Sequence, residues 1–279
     1  IVEVTVRLIP KPESAQVVLA AFNEISDAGA AVRDIISSGI IPAGLEMMDK
    51  LATQAAEDFV HANYPMAEAL LLCELDGTQS EIDQQMDKVS QILKACNSHD
   101  IRLSQNNQER ALFWAGRKAA FPAVGRISPD YYCMDGTIPR KSLPEVLGKI
   151  SNFSTKYGLR VANVFHAGDG NLHPLILYDA NKAGDLEKAE NFGADILKYC
   201  VDKGGTITGE HGVGVEKIDQ MCHQFHTPEL NKFHSIKALL DETGILNPGK
   251  AIPSLHRCAE LGAMHVHNGK LPHPDIPRF

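Results

Sequence analysis

An α+β fold, a ferredoxin-like plait with a mostly antiparallel sheet covered by helices, is what this sequence predicts. Two observations predict it. Apolar runs of strand length alternate with stretches of helical periodicity along nearly the whole chain, and the connections between them are short. Short connections and paired helices suit an antiparallel sheet better than the long parallel crossovers of a Rossmann sheet. With 279 residues, 44% of them hydrophobic, the chain can fill one large core or two smaller ones.

Residues 1–9 alternate and are rich in β-branched side chains before stopping at Pro10-Lys11-Pro12, so the chain is expected to open in mid-strand, as a piece with something upstream. Ser14 can cap a helix over 14–27, with Val17, Val18, Ala21, Phe22 and Ile25 on one face, and a short helix follows over 30–38. Residues 39–48 read as a strand, 50–61 as a helix, and 67–75 as a nearly all-apolar strand ending at Asp76-Gly77. Over 80–96, Ile82, Met86, Val89, Ile92 and Leu93 recur at helical spacing with Glu81, Asp83, Asp87 and Lys88 outside, the pattern of a surface helix on a sheet. The alternation continues with strand 101–103, helix 107–120, strand 132–138, helix 143–157 and strands 159–165 and 172–178. A long helix over 185–202 and a last one over 228–241 complete the plait, and 251–279 is expected to be an irregular tail bearing Pro and His.

Charge and cysteines narrow the partners. A net charge of -8 without a dense Lys/Arg run excludes a surface that tracks nucleic acid. Six scattered cysteines with no Cys-x-x-Cys pair suggest neither a disulfide framework nor a thiolate zinc site, which suits a reducing cytoplasm. The longest apolar stretches fall well short of the ~20 residues a membrane helix needs, so membrane association is expected only through a partner.

Two glycine-rich runs carry the chemistry. In Phe165-His166-Ala167-Gly168-Asp169-Gly170-Asn171-Leu172-His173-Pro174, two imidazoles seven apart flank a turn that Gly168 and Gly170 allow to be sharp. Along a strand alone, odd spacing puts residues on opposite faces, so their convergence depends on that turn. In Gly204-Gly205-Thr206-Ile207-Thr208-Gly209-Glu210-His211-Gly212-Val213-Gly214, a carboxylate stands beside another imidazole. Two His and one carboxylate with an open position suit catalytic zinc, and equally iron, manganese or cobalt. His166, His173 and Glu210 are the candidate ligands. Ordinary turns with solvated or core histidines are the competing reading. The same triad with His211 as base also suits a free-standing metallohydrolase, and a non-catalytic assembly module is a third possibility.

Those two runs, followed by Leu246-Asn247-Pro248-Gly249-Lys250, resemble the C-terminal half of the FAD-linked oxidases of the vanillyl-alcohol-oxidase type. The stretches Phe113-Trp114-Ala115-Gly116-Arg117-Lys118, Tyr131-Tyr132-Cys133-Met134-Asp135-Gly136-Thr137-Ile138-Pro139 and Leu255-His256-Arg257-Cys258-Ala259-Glu260 narrow it to the branch that oxidises small 2-hydroxy acids. The resemblance implies that residues 1–12 end an absent FAD-binding domain, that 13–250 form the substrate (cap) domain, and that this portion is inactive alone. It implies FAD, held mostly by the absent half with Asn247 and Asn171 as contacts, and a divalent metal on His166, His173 and Glu210, with zinc first and iron or manganese next.

By the same resemblance His211 takes the proton of the substrate hydroxyl and Arg117 holds the substrate carboxylate. A guanidinium fork matches a carboxylate with two parallel bonds, which prefers Arg117 to Lys118, although spacing alone would put Arg117 on a solvated helix face. Relatives acting on 2-hydroxyglutarate carry polar groups where Cys133 and Leu175 stand, so the implied substrate is small, glycolate or D-lactate. Asp169 either orients a ligand imidazole or serves the turn. The tail histidines His256, His265, His267 and His273, with Cys258, are too sparse in thiolates for an iron-sulfur site; the resemblance implies docking against partner subunits, one of them an iron-sulfur subunit.

Overall fold

Residues 17–22 are an unbroken apolar run, as are 69–73, a composition that suits strands covered on both faces. The computed structural model describes residues 2–253 and sets these runs side by side. Strand β1 (Ser14–Phe22) lies antiparallel to β3 (Ala69–Gly77), from Ser14↔Gly77 to Phe22↔Ala69. β2 (Gly44–Asp49) pairs with the other edge of β3, and β4 (Asp100–Leu103) with the other edge of β1. Helices α1 (Ile25–Ser37) and α3 (Gln79–Ala95) join them into a ferredoxin-like unit, with α2 (Lys50–Val60) inserted between β2 and β3. Three further strands, β5 (Asp130–Cys133), β6 (Val161–Phe165) and β7 (Pro174–Tyr178), extend it to a seven-stranded sheet of order β4-β1-β3-β2-β6-β7-β5. Every neighbouring pair is antiparallel.

The remaining helices are α4 (Asn107–Val124), α5 (Leu143–Tyr157), α6 (Asp185–Asp202), α7 (Ile218–Gln224) and α8 (Thr227–Leu240). Because side chains alternate along a strand, the sheet feeds two cores. Val18, Ala20, Phe22, Leu71 and Cys73 meet α1, α3, α5 and α6 on one face. Val17, Leu19, Ala21, Leu70 and Leu72 meet α2 and α4 on the other. A smaller cluster, Met134, Leu197, Ile207, Met221 and Leu230, ties α7 and α8 to α6.

The antiparallel, helix-covered plait agrees with the sequence, and several elements do not. Residues 14–27 are not one helix but β1 followed by α1, since a short run that is apolar on both faces has no period to separate strand from helix. The alternating residues Val2, Val4, Val6 and Leu8 are exposed and form no strand. The predicted strand 132–138 shrinks to β5 plus a bridge at Thr137, α4 runs through Pro122 to Val124, and α7 was not expected. The tail residues His256, Cys258, His265, His267 and His273, and the docking role expected of them, lie outside the described residues. Among the described residues no helix is long and apolar enough to cross a membrane.

Candidate active site

The two histidines of the first glycine-rich run are brought together by the hairpin that joins β6 to β7. Ladder pairing ends at Asn163↔Pro174 and resumes as an isolated bridge at His166↔Asn171, which folds the run tightly back on itself. Gly170 makes the turn possible: its φ is +74°, and a Cβ there would stand 2.3 Å from the Ile138 carbonyl oxygen. The His166 and His173 ring centroids are 5.1 Å apart.

Glu210 and His211 arrive from the loop between α6 and α7. Glu210 Oε1 lies 3.0 Å from His173 Nε2, 3.7 Å from His166 Nε2 and 3.6 Å from His211 Nε2. His173 Nε2 and His211 Nε2 are 3.2 Å apart. One donor atom from each of His166, His173 and Glu210 lies within 4.8 Å of the others, so the three expected ligands share one point. His173 is buried, and burial, then the positive charge His166 and His211 can carry, lowers its pKa to about 4. Its ring is therefore neutral at physiological pH, the form that binds a metal.

The sequence reading missed Glu46. Its Oε1 stands 2.8 Å from His166 Nδ1, while its Oε2 accepts from Arg117 Nε at 3.1 Å and lies 2.9 Å from the Nη2 of the same guanidinium. The hydrogen bond to Glu46 raises the His166 pKa and fixes which nitrogen faces the cluster. A carboxylate in the otherwise apolar middle of β2, Leu45-Glu46-Met47-Met48, was the available signal, since a buried charge needs a partner. Arg117, expected only to hold substrate, is buried and already engaged with Glu46.

Asp169 serves the turn, its backbone N–H closing on the His166 carbonyl at 3.1 Å, while for His166 it is Glu46 that takes the orienting place. Asn171 is buried beside the cluster, its side chain so close over Gly209 that a Cβ there would meet it at 2.7 Å. Asn247 is exposed after α8, in left-handed backbone at φ 49°, and no described contact joins it to the cluster. Cys133 and Leu175 are cross-strand partners in the core that faces α4. Burial pushes the Cys133 thiol up to about 12, which leaves it uncharged and unreactive. Phe121 presents its ring edge-on to His173 at 6.2 Å and adds to that apolar side.

Residues 11–251 match the family described as FAD linked oxidases, C-terminal domain. The chain belongs to that family. As an FAD-linked oxidase C-terminal domain it is 62% identical, over 99% of its length, to the glycolate oxidase subunit GlcD of Escherichia coli (strain K12), and covers 56% of that protein. It is 34% identical over 90% of its length to the GlcD subunit of Bacillus subtilis (strain 168), covering 53%, and 29% identical over 92% to a mitochondrial D-lactate dehydrogenase [cytochrome] of Arabidopsis thaliana, covering 46%. The chain thus spans about half the length of the curated relatives it matches. The crystal structure of p-cresol methylhydroxylase with substrate bound shares the fold, with a TM-score of 0.69 at 15% identity, covering 89% of this chain and 54% of that one.

Proposed function

We propose that this oxidase domain is the substrate side of an FAD-dependent 2-hydroxy-acid dehydrogenase, oxidising glycolate or D-lactate to the 2-oxo acid. The observation that carries the proposal is the convergence of His166, His173, Glu210 and His211 on one point beside the Glu46–Arg117 pair. A nearby imidazole base and a carboxylate-binding cation are what removal of hydrogen from a 2-hydroxy acid requires. FAD, when bound, supplies the hydride acceptor.

The donor set fits a divalent metal, with zinc first and iron or manganese next. His166 keeps Nε2 free because Nδ1 is engaged by Glu46, His173 is held neutral, and Glu210 brings the negative charge. Such a cation supplies Lewis acidity that makes a substrate hydroxyl easier to deprotonate. His211, about half exposed at the mouth of the cluster, receives that proton at Nε2. Glu46 engages Arg117 through Nε and Nη2, leaving the Nη1 donors to meet the substrate carboxylate. The apolar Leu175 and the uncharged Cys133 offer nothing to a second carboxylate, which selects a short substrate. In this reading the chain works in the cytoplasm beside other glycolate oxidase subunits, one carrying iron-sulfur clusters, and reaches the membrane only through them.

Metal analysis by inductively coupled plasma mass spectrometry, on chains purified without a metal-affinity tag, tests the ligand set. Near-stoichiometric zinc, iron or manganese in the wild type and its loss in His173→Ala is the expected result. The activity is tested in the flavin-bearing full-length protein by anaerobic mixing with glycolate or D-lactate. Bleaching of the flavin band by either is expected, and no bleaching by both would overturn the assignment.

A further inference from the structure

The loop that presents Glu210 and His211 has no helix or strand to hold it, yet its backbone N–H groups aim at a single atom. Asp135, two residues past β5 and wholly buried, accepts at Oδ2 from Glu210 N at 2.9 Å and His211 N at 2.7 Å, and shares the Gly209 N–H, at 3.1 Å, with its own backbone carbonyl, which lies closer at 2.7 Å. The Thr208 hydroxyl donates to the same oxygen at 3.1 Å. Successive N–H groups turned toward one point form an anion-binding nest, and here a side chain of the protein fills it. The Lys217 ammonium, itself buried, pairs with Asp135 Oδ1 and reaches Thr208 Oγ1 at 3.4 Å. Without Lys217 the nest would hold an uncompensated buried charge.

We propose that Asp135 and Lys217 are positioning residues for the reaction: their ion pair sets where Glu210 and His211 stand relative to His166 and His173. This rests on the reading of Glu210 as a ligand and His211 as the base. Neither Asp135 nor Lys217 touches the reacting groups. The nest fixes the backbone of two consecutive residues, and each delivers its side chain to the same point. An amide in place of Asp135 meets four converging donors with a weaker, uncharged acceptor and strands the Lys217 ammonium. The proposal therefore predicts a selective loosening of the loop rather than a general loss of fold.

The test uses the full chain, with Asp135→Asn, Lys217→Arg and, in case the lone Asn variant fails to fold, the uncharged double variant Asp135→Asn/Lys217→Met. Amide hydrogen exchange and cobalt(II) titration, read by the visible absorption of the bound ion, are compared across them. Expected in the Asn variants are exchange at Glu210 and His211 at least tenfold faster, with Gly209 still held by the Asp135 carbonyl, unchanged exchange in β1 and β3, and cobalt binding about 10–100-fold weaker with an altered spectrum. Lys217→Arg should keep cobalt affinity within a few fold. Unchanged exchange at the Glu210 and His211 amides overturns the proposal, and so does faster exchange with wild-type cobalt affinity and spectrum, which would make the pair structural only. A wild type that takes up no cobalt fails the ligand reading instead, and the exchange data then decide the proposal alone.

Discussion

Glu46 does two things with one carboxylate: it orients His166 and neutralises the buried Arg117 guanidinium. Glu46→Gln keeps the shape and removes the charge. Cation affinity should fall about 10–100-fold, because the neutral amide is a weaker acceptor for the His166 ring and its NH2 cannot also accept from Arg117. Stability should fall by about 3–5 kcal/mol, because one partner of a buried pair is left behind. Calorimetric titration and urea unfolding read the two effects separately, and a variant matching the wild type in both would remove Glu46 from the site. Asp49 makes a different test. It accepts from Ala52 N, Asn163 N and Asn163 Nδ2, tying β2 and α2 to β6, yet burial pushes its carboxyl up to about 6. Its unfolded value is about 3.9, so between the two the native state binds the proton more tightly than the unfolded chain. Its contribution to stability is therefore greatest below that window and is lost as pH rises through it, by about 1 kcal/mol between pH 5 and pH 7. The unfolding free energy of the wild type minus that of Asp49→Asn should shrink by that amount from pH 5 to pH 7; a constant difference contradicts it.

Helix α4 carries Arg117, and a hydroxyl interrupts the helix at that point. Tyr64 donates to the Phe113 carbonyl and accepts from the Arg117 N–H at 3.2 Å, so the phenol stands between two groups four residues apart that a regular helix joins directly. Gly116 leaves room for it: a Cβ there would lie 2.3 Å from the Tyr64 ring. Tyr64→Phe should cost about 1–3 kcal/mol by orphaning both groups, read as a lower urea midpoint with an unchanged slope. An unchanged midpoint would mean the helix closes its own bond once the hydroxyl is gone. Such long-range insertions explain what the sequence revealed and what it hid. Helices α2, α3, α5 and α6 were readable because one face of each is apolar at helical spacing. β1 was not, because Val17 to Phe22 is buried on both sides, and neither was α7, which is only 7 residues long. His166, His173 and Glu210 were readable because each sits in a local glycine-rich run. Glu46 and Asp135 sit in no such run: their site partners lie 120 and 75 residues away in sequence, and only the folded sheet brings them together.

The whole molecule is two sheet halves joined along a narrow seam. β2 meets β6 through only Met47↔Phe165 and Met48↔Val164, so the plait of β1 to β4 and the block of β5 to β7 share little ladder. The site lies across this seam, with Glu46 and Arg117 on one side and His166, His173 and Glu210 on the other. A cation on the three proposed ligands would therefore brace both halves, through His166 and its bond to Glu46. A ligand that binds only the native state stabilises it by about 2.7 kcal/mol at a hundredfold excess over its Kd. For a domain of this size, each kcal/mol raises the melting temperature by roughly 2–4 °C, so saturating zinc or manganese should lift it by about 5–10 °C. Because the brace spans the seam, the shift should come as one calorimetric transition moving whole, and His173→Ala should abolish it. Two transitions with only the later-strand block moving would mean that the site stabilises its own hairpin and loop without coupling the halves.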